Sequence, residues 1–401
     1  MYYSPKTSTD GLVFHYDTGN TVRSYLGEPT TNLAYAVNPY LNSNSNWWIN
    51  GGNTVFSDND TSIPKPVIPN VDTTNLRIFS STVTQAVPNQ HLGSSIITVS
   101  PSTTYSFSIY FYFTGTTLQV QPYVRTAVNN DLLAYFGYNG DTNYLNWPRN
   151  QWILLKATVT TQANENGIYM SSYTGDTLGE KLAYFGYQVE QKSHCTPLVL
   201  GTRSATQGLK DLAAKNTINI STVSFDSNAQ MTFDGTNDYI SIPDSSVMKP
   251  STEMTVEMIV KANSTTSGWN RLFGKDPYTN SWLIFLETGG TLIRALHYVG
   301  GTEYRCNTSY SISTTKYTHI VFTFKTGDAI RSYFNGSAGD GIVSLPAGTF
   351  QYNGTSDFLI GYAGADYFNG QIPVAKIYNQ ALTADQVQRN FNAVKSRFNI
   401  A

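Results

Sequence analysis

Two adjacent tryptophans, Trp47 and Trp48, and a second pair of rings, Tyr144 and Trp147, stand in polar, loop-like sequence. Their neighbours are Asn42-Ser43-Asn44-Ser45-Asn46 and Gly140-Asp141-Thr142-Asn143. Sugars present apolar C–H faces that stack on such rings, while amides and carboxylates fix the hydroxyls. These four residues form the candidate glycan-binding set, with one plainer use open to them, plugging the end of a β-sandwich. Covalent and acid–base chemistry is poorly served. His15, His91, His194, His297 and His319 show no paired metal spacing such as H-E-x-x-H. Neither a Gly-x-Ser-x-Gly nucleophile elbow nor a phosphate-cradling loop ending in Gly-Lys-Ser/Thr occurs. Glu253 and Glu257 fall at even spacing on one side of an expected strand, about 13 Å apart at strand rise, and read as a solvated face. The expectation is a protein that is not an enzyme.

The elements that must hold these residues are strands. Turn pairs that tolerate positive φ punctuate the chain, among them Asp10-Gly11, Asn139-Gly140, Asp234-Gly235, Asn335-Gly336 and Asn369-Gly370. Between the turns lie runs of period two. In Thr104–Phe113, Tyr105, Phe107, Ile109, Phe111 and Phe113 alternate with Ser106, Ser108, Tyr110 and Tyr112, giving a core face and an outward Ser/Tyr face. Further strands are expected at 118–125, 152–160, 167–173 and 182–190, then at 254–262, 282–287, 292–298, 318–325, 330–335, 357–361 and 372–378. Many strands, regular turns and little helix mean sandwiches or jelly rolls. One helix is expected at the C-terminus. Thr383-Ala384-Asp385-Gln386 reads as a capping box, and Val387, Phe391, Val394 and Phe398 make one apolar stripe. The hexapeptide Leu133–Tyr138 recurs as Leu182–Tyr187, marking equivalent strands of one sheet or chance in a Tyr-rich chain.

Composition narrows the class. The 401 residues carry 25 Lys+Arg against 27 Asp+Glu, a formal net charge of -2. That balance argues against a nucleic-acid binder and a polybasic membrane-surface protein. Only 13% of residues are charged, and the 28 Tyr and 20 Phe suit β-rich surfaces rather than helical bundles. Cys195 and Cys306 are too few and too far apart for a stapled scaffold and are expected as free thiols. The N-terminus has no signal-peptide pattern, and no run of about 20 apolar residues would span a membrane.

The second half resembles laminin-G-like, concanavalin A-type jelly rolls. The resemblance rests on Phe233–Pro243, Met254–Lys261, Tyr317–Phe324, Ser332–Gly336, Phe358–Gly361, Phe368–Ile372 and Lys376–Thr383, in family order over roughly 170 residues. Asp10-Gly11-Leu12-Val13-Phe14-His15-Tyr16-Asp17 is similar to the first strand of such domains in tailed-phage virion proteins. There that strand runs on to an Asp-Leu segment within a few dozen residues. Here its counterpart, Gly208–Leu212, comes about 180 residues later. The intervening segment resembles a carbohydrate-binding-module jelly roll at its ends, Asn32-Leu33-Ala34 with Trp47-Trp48, and Phe185–Pro197.

These resemblances imply an all-β chain of two jelly-roll β-sandwiches plus one C-terminal helix. Residues 1–9 would be a docking arm, 10–27 and 200–401 a discontinuous laminin-G-like jelly roll, and 28–199 an inserted carbohydrate-binding-module-like one. They imply a non-enzymatic virion structural protein on a phage particle's exterior, as capsid decoration, head fibre or tail component. Its partners would be other virion proteins, further copies of itself and host-surface glycan, with no nucleic acid and no membrane insertion. Two alternatives stay open, a lectin-like adhesin module and a glycoside hydrolase with an unrecognised carboxylate pair. No cofactor is expected. The families often hold a structural calcium near loop acids such as Asp17, Asp234 and Asp238, none of which is assigned as a ligand.

Overall fold

The computed structural model describes residues 7–37, 47–50, 54–57, 60–74, 76–85, 91–115, 120–173, 177–264, 269–275, 277, 279–287, 292–363 and 366–400. By their contacts the residues divide into two compact units, Thr30–Arg203, and Met1–Pro29 together with Ser204–Ala401. Each unit is a sandwich of antiparallel sheets.

In the unit 30–203, one sheet runs Leu132–Tyr135, Tyr123–Thr126, Gly167–Tyr173, His91–Ser94, Trp47–Asn50, with Ile97–Thr98 beside Gly167–Tyr173. The other runs Ile153–Thr160, Thr104–Phe113, Lys181–Glu190, Phe79–Val83, Thr54–Ser57. Phe107, Ile109, Phe111 and Phe113 of the Thr104–Phe113 strand meet Leu92, Val124, Ile168 and Met170 from the facing sheet. Each such buried side chain contributes roughly 1.5–3 kcal/mol by leaving water. The two copies of the repeated hexapeptide lie in different sheets, so they are not equivalent strands.

The Ser/Tyr side of Thr104–Phe113, expected to face outward, is covered by its own unit. Tyr110, Tyr112 and Trp152 pack with Ile63, Ile68, Leu76 and Ile78, and the Trp152 indole N–H donates to Pro64 O at 2.7 Å. Ser106 and Ser108 are buried. The covering segment Ile63-Pro64-Lys65-Pro66-Val67-Ile68 carries two prolines. It lies over the sheet rather than pairing into it, because proline cannot donate to a ladder. Of the strand expected at 118–125, residues 118 and 119 lie outside the described residues, and the described strand, Tyr123–Thr126, follows Pro122.

In the other unit, Asn369–Tyr378 pairs with Glu253–Ala262 on one side. On its other side it takes both Leu12–Asp17 and Met231–Asp234. The sheet continues from Glu253–Ala262 through Thr318–Lys325 and Ala329–Phe334 to Ser337–Ser344. The facing sheet runs Ile240–Ile242, Phe358–Ile360, Asn270–Lys275, Trp282–Leu286, Leu292–Val299, Thr302–Ser311. Phe14 and Tyr16 of the N-terminal strand sit in the shared core with Val256, Met258, Phe273, Trp282 and Ile377.

The C-terminal helix, Ala384–Val394, begins at Thr383. Its hydroxyl accepts from Gln386 N–H while the Gln386 side chain accepts from Thr383 N–H. Phe391 and Val394 lie on Ile259 and Val374, on the outer side of the first sheet. This covering reverses the reading of Glu257. Period two does point it away from the sandwich core, but the helix roofs that side, and the carboxylate is 2% exposed. Lys376 Nζ lies 2.9 Å from Glu257 Oε1 and His319 Nε2 3.2 Å from it. Asn390 Nδ2 donates to Oε2 at 2.7 Å, and the Tyr378 hydroxyl reaches it at 3.3 Å. Burial alone would raise this carboxyl, but Lys376 and the His319 contact outweigh it and hold the group well below the usual carboxylate range. Glu253 instead pairs with Lys325 at 2.8 Å. Of the expected arm, residues 1–6 lie outside the described residues. Ser8 N–H donates to Asn390 Oδ1 at 2.7 Å, on the roof of the same network.

Candidate functional site: an aromatic sheet face

Gly167–Tyr173 reads Gly-Ile-Tyr-Met-Ser-Ser-Tyr. Ile168 and Met170 enter the core, so Tyr169, Ser171 and Tyr173 must point to the opposite side. Register aligns the neighbouring strands with them. Tyr173 lies opposite His91, Ser171 opposite Tyr123, and Tyr169 opposite Arg125. Tyr135 lies opposite Tyr123 on the next strand. Four strands thus bring His91, Tyr173, Tyr123, Tyr169, Arg125 and Tyr135 onto one sheet face.

The rings touch. His91 and Tyr173 have centroids 4.3 Å apart, and Tyr123 stands edge-on to Tyr173 at 5.8 Å and to Tyr135 at 6.2 Å. The Arg125 guanidinium lies over the Tyr123 ring, 4.8 Å from its centroid. Polar contacts fix the set. His91 Nδ1 and the Tyr123 hydroxyl are 2.7 Å apart, and Ser171 Oγ is 3.2 Å from the same hydroxyl. The Tyr169 hydroxyl and the Arg125 guanidinium both donate to Asn130, at its side-chain and main-chain oxygens.

Tyr123 is buried at the centre, while Tyr135 is 46% exposed. Partial burial, helped by Arg125, lowers the His91 pKa, so its ring is neutral near pH 7. Burial raises the phenols of Tyr169 and Tyr173, keeping them protonated as hydrogen-bond donors. Tyr135 also walls a cleft of about 600 Å³ that Tyr138, Asn139, Thr142, Lys156 and Thr158 help to line. Flat rings, phenol and imidazole hydrogen-bonding groups and an adjoining cleft could stack and bond a polar ligand.

Of the four residues singled out in the sequence, the two whose side chains are described, Tyr144 and Trp147, do not join this site. Trp147 is 3% exposed, edge-on to Phe111, with its indole N–H donating to Asp141 O at 2.9 Å. It closes the core and presents no ring to solvent. Tyr144 is half-buried on the same core, in the turn Tyr144–Asn146. Trp47 and Trp48 belong to the strand Trp47–Asn50, opposite Ser94 and Gly93, at the edge of the sheet that carries the aromatic face. Their side chains lie outside the described residues. The rings that do cluster were signalled by the alternation in Gly167–Tyr173, where the outward residues are Tyr, Ser and Tyr.

The loop acids serve turns. Asp17 accepts from Gly19 N–H and pairs with Arg397, Asp234 accepts from Thr236 and Asn237 N–H, and Asp238 from Asp234 N–H. Among the described residues, no group of three or more His, Cys, Asp or Glu is gathered as for a metal ion. Among them, too, no helix is long and apolar enough to cross a membrane.

Residues 234–388 match the Concanavalin A-like lectin/glucanases superfamily, a stretch wholly inside the unit that the N-terminal strand joins. No curated protein matches the chain. Among solved structures the chain is similar to domain 4 of an extracellular GH43 arabinanase from Geobacillus stearothermophilus, solved with arabinotriose. That likeness has 23% identity over 46% of this chain and 91% of that one, at a TM-score of 0.35. A Ruminococcus gnavus sialidase CBM40 bound to α2,3-sialyllactose shares 13% identity over 36% of this chain and 84% of its own, at 0.31. A botulinum neurotoxin type C structure, described as dependent on two ganglioside molecules for cell entry, shares 9% identity over 48% of this chain, at 0.37. The chain spans 50% of that toxin structure's length.

Proposed function

We propose that the protein is a non-enzymatic carbohydrate-binding protein, and that the aromatic face of the unit 30–203 is its glycan site. The observation that carries this reading is the joint placement of His91, Tyr173, Tyr123 and Tyr135 as touching rings on one sheet face, with Tyr135 exposed beside a cleft. Such a face holds a pyranose or furanose by C–H stacking and by neutral hydrogen bonds. Glu257 itself is sealed beneath the C-terminal helix and cannot reach a bound sugar. Native gel electrophoresis through soluble polysaccharides tests the reading. Retardation by at least one polysaccharide, relieved in Tyr135→Ala, is expected, and unretarded migration in a broad set would oppose it.

The setting we infer is the exterior of a phage particle, where the protein would meet other virion proteins and copies of itself. That reading is supported by the likeness of residues 10–17 to virion jelly-roll strands. Mass spectrometry of purified virions tests it, and absence of the protein from particles would remove it.

A further inference from the structure

A second aromatic group, on the other sandwich, has no role in the site above. The short ribbon of Tyr362–Ala363 and Asp366–Tyr367 sets Tyr362 directly opposite Tyr367. Their rings stack at 4.5 Å with 26° between planes. Tyr239, just before the strand Ile240–Ile242, adds a third ring 5.5 Å from Tyr362 and tilted 36° to it. All three residues are half-buried rather than absorbed into the core.

The three phenols are half-exposed and offer their hydroxyls to solvent or to a ligand. A buried tyrosine usually finds an acceptor for its hydroxyl, as Tyr16 does in this unit by donating to Ile372 O at 2.7 Å. Among the described residues, none of the three phenol hydroxyls has a hydrogen-bond partner. They also lie close enough for Tyr362 and Tyr239 to raise the Tyr367 phenol further, beyond what burial does. Tyr367 is thereby kept neutral near pH 7, and a phenol hydroxyl both donates and accepts. The charges at the rim cancel, because Asp366 pairs with Arg271 at 3.2 Å. An ionic ligand would find no free counter-charge in that pair. An uncharged ligand with an apolar face and several hydroxyls would find both a ring to lie on and groups to bond.

We infer that Tyr239, Tyr362 and Tyr367 form a second saccharide-binding site, for a neutral sugar stacked on the tyrosine column and bonded by its phenol hydroxyls. The site is independent of the aromatic face on the unit 30–203, and the chain then carries one saccharide site on each sandwich.

A cross-strand Tyr pair could instead serve only the ribbon's stability, so the test separates hydroxyls from rings. The full-length chain, Tyr362→Phe/Tyr367→Phe, Tyr362→Ser/Tyr367→Ser and Tyr135→Ser/Tyr173→Ser are compared on an array of neutral and acidic oligosaccharides, with melting temperatures measured in parallel. The Phe pair keeps the rings and should keep the wild-type melting temperature. It should lose about tenfold or more in affinity for a subset of neutral glycans, about what two lost hydrogen bonds cost. The Ser pair should lose that same subset entirely, while Tyr135→Ser/Tyr173→Ser retains it. The inference is overturned if both 362/367 variants bind every glycan as the wild type does, or if the only glycans they lose are acidic. Loss confined to Tyr135→Ser/Tyr173→Ser would uphold the first site and dismiss the second.

Discussion

Replacing Glu257 by Gln removes one charge from a sealed ion pair and leaves its shape almost unchanged. Glu257 and Lys376 side chains are each 2% exposed and lie 2.9 Å apart. His319, Asn390 and Tyr378 complete the shell at 2.7–3.3 Å. With the carboxylate gone, the Lys376 ammonium stays buried without a counter-ion. Stranding one charge in this way costs about 3–5 kcal/mol. For a unit of this size that is a fall of on the order of 10 °C in melting temperature. Removing the second charge as well, in Glu257→Gln/Lys376→Met, should restore stability to within about 2 kcal/mol of wild type, because no unpaired ion remains.

The acid limb of the stability curve follows from the same group. The folded carboxyl titrates below its unfolded value, so its contribution is full above about pH 4.5 and is lost as pH falls toward the folded value. The Gln variant should lose that part of the acid dependence. Differential scanning calorimetry of the full chain, at pH 7 and at steps down to pH 3, reads both effects. A single variant as stable as wild type, or a double variant less stable than the single, would refute the reasoning.

Other consequences are open to measurement. His297 is fully buried against Phe350, and burial lowers its pKa to about 3. Its stabilising contribution is therefore complete above pH 6.5 and declines as pH falls from there toward 3, by up to about 5 kcal/mol. His297→Phe should flatten this part of a calorimetric pH series. Trp147→Ala should destabilise the sandwich 30–203 by about 3–5 kcal/mol in urea denaturation, as a core deletion does. Tyr135→Ala, at an exposed position, should change stability by less than about 0.5 kcal/mol. It should nevertheless weaken glycan binding about tenfold by titration calorimetry.

The sequence showed the strands whose two sides differ most. Thr104–Phe113, Gly167–Tyr173 and Thr318–Lys325 have the bounds that their alternation predicts. Thr302–Ser311 was not visible, because Thr-Glu-Tyr-Arg-Cys-Asn-Thr-Ser-Tyr-Ser offers little apolar alternation and is held by pairing with Leu292–Val299. Ser337–Ser344, rich in small residues, forms only as the edge partner of Ala329–Phe334. The site was harder still. Local context marked Trp147 as a loop ring, yet the chain folds it inward over Phe111. His91, Tyr123, Tyr135 and Tyr173 come from four strands, and register, which no single stretch of sequence specifies, makes them neighbours. Glu257 was misread for a related reason. Alternation gives the side of the sheet a residue faces, but not whether a distant helix will cover that side.

The central claim is that the sheet face around Tyr123 holds sugar. Its most direct test is calorimetric titration of the chain carrying Tyr362→Ser/Tyr367→Ser, with and without Tyr135→Ser/Tyr173→Ser, against arabinotriose, cellotriose, maltotriose and sialyllactose. Saturable heat from at least one of them, abolished when Tyr135 and Tyr173 are replaced while the melting temperature holds, is the predicted result. Equal heats from both proteins, or none from either, would contradict it.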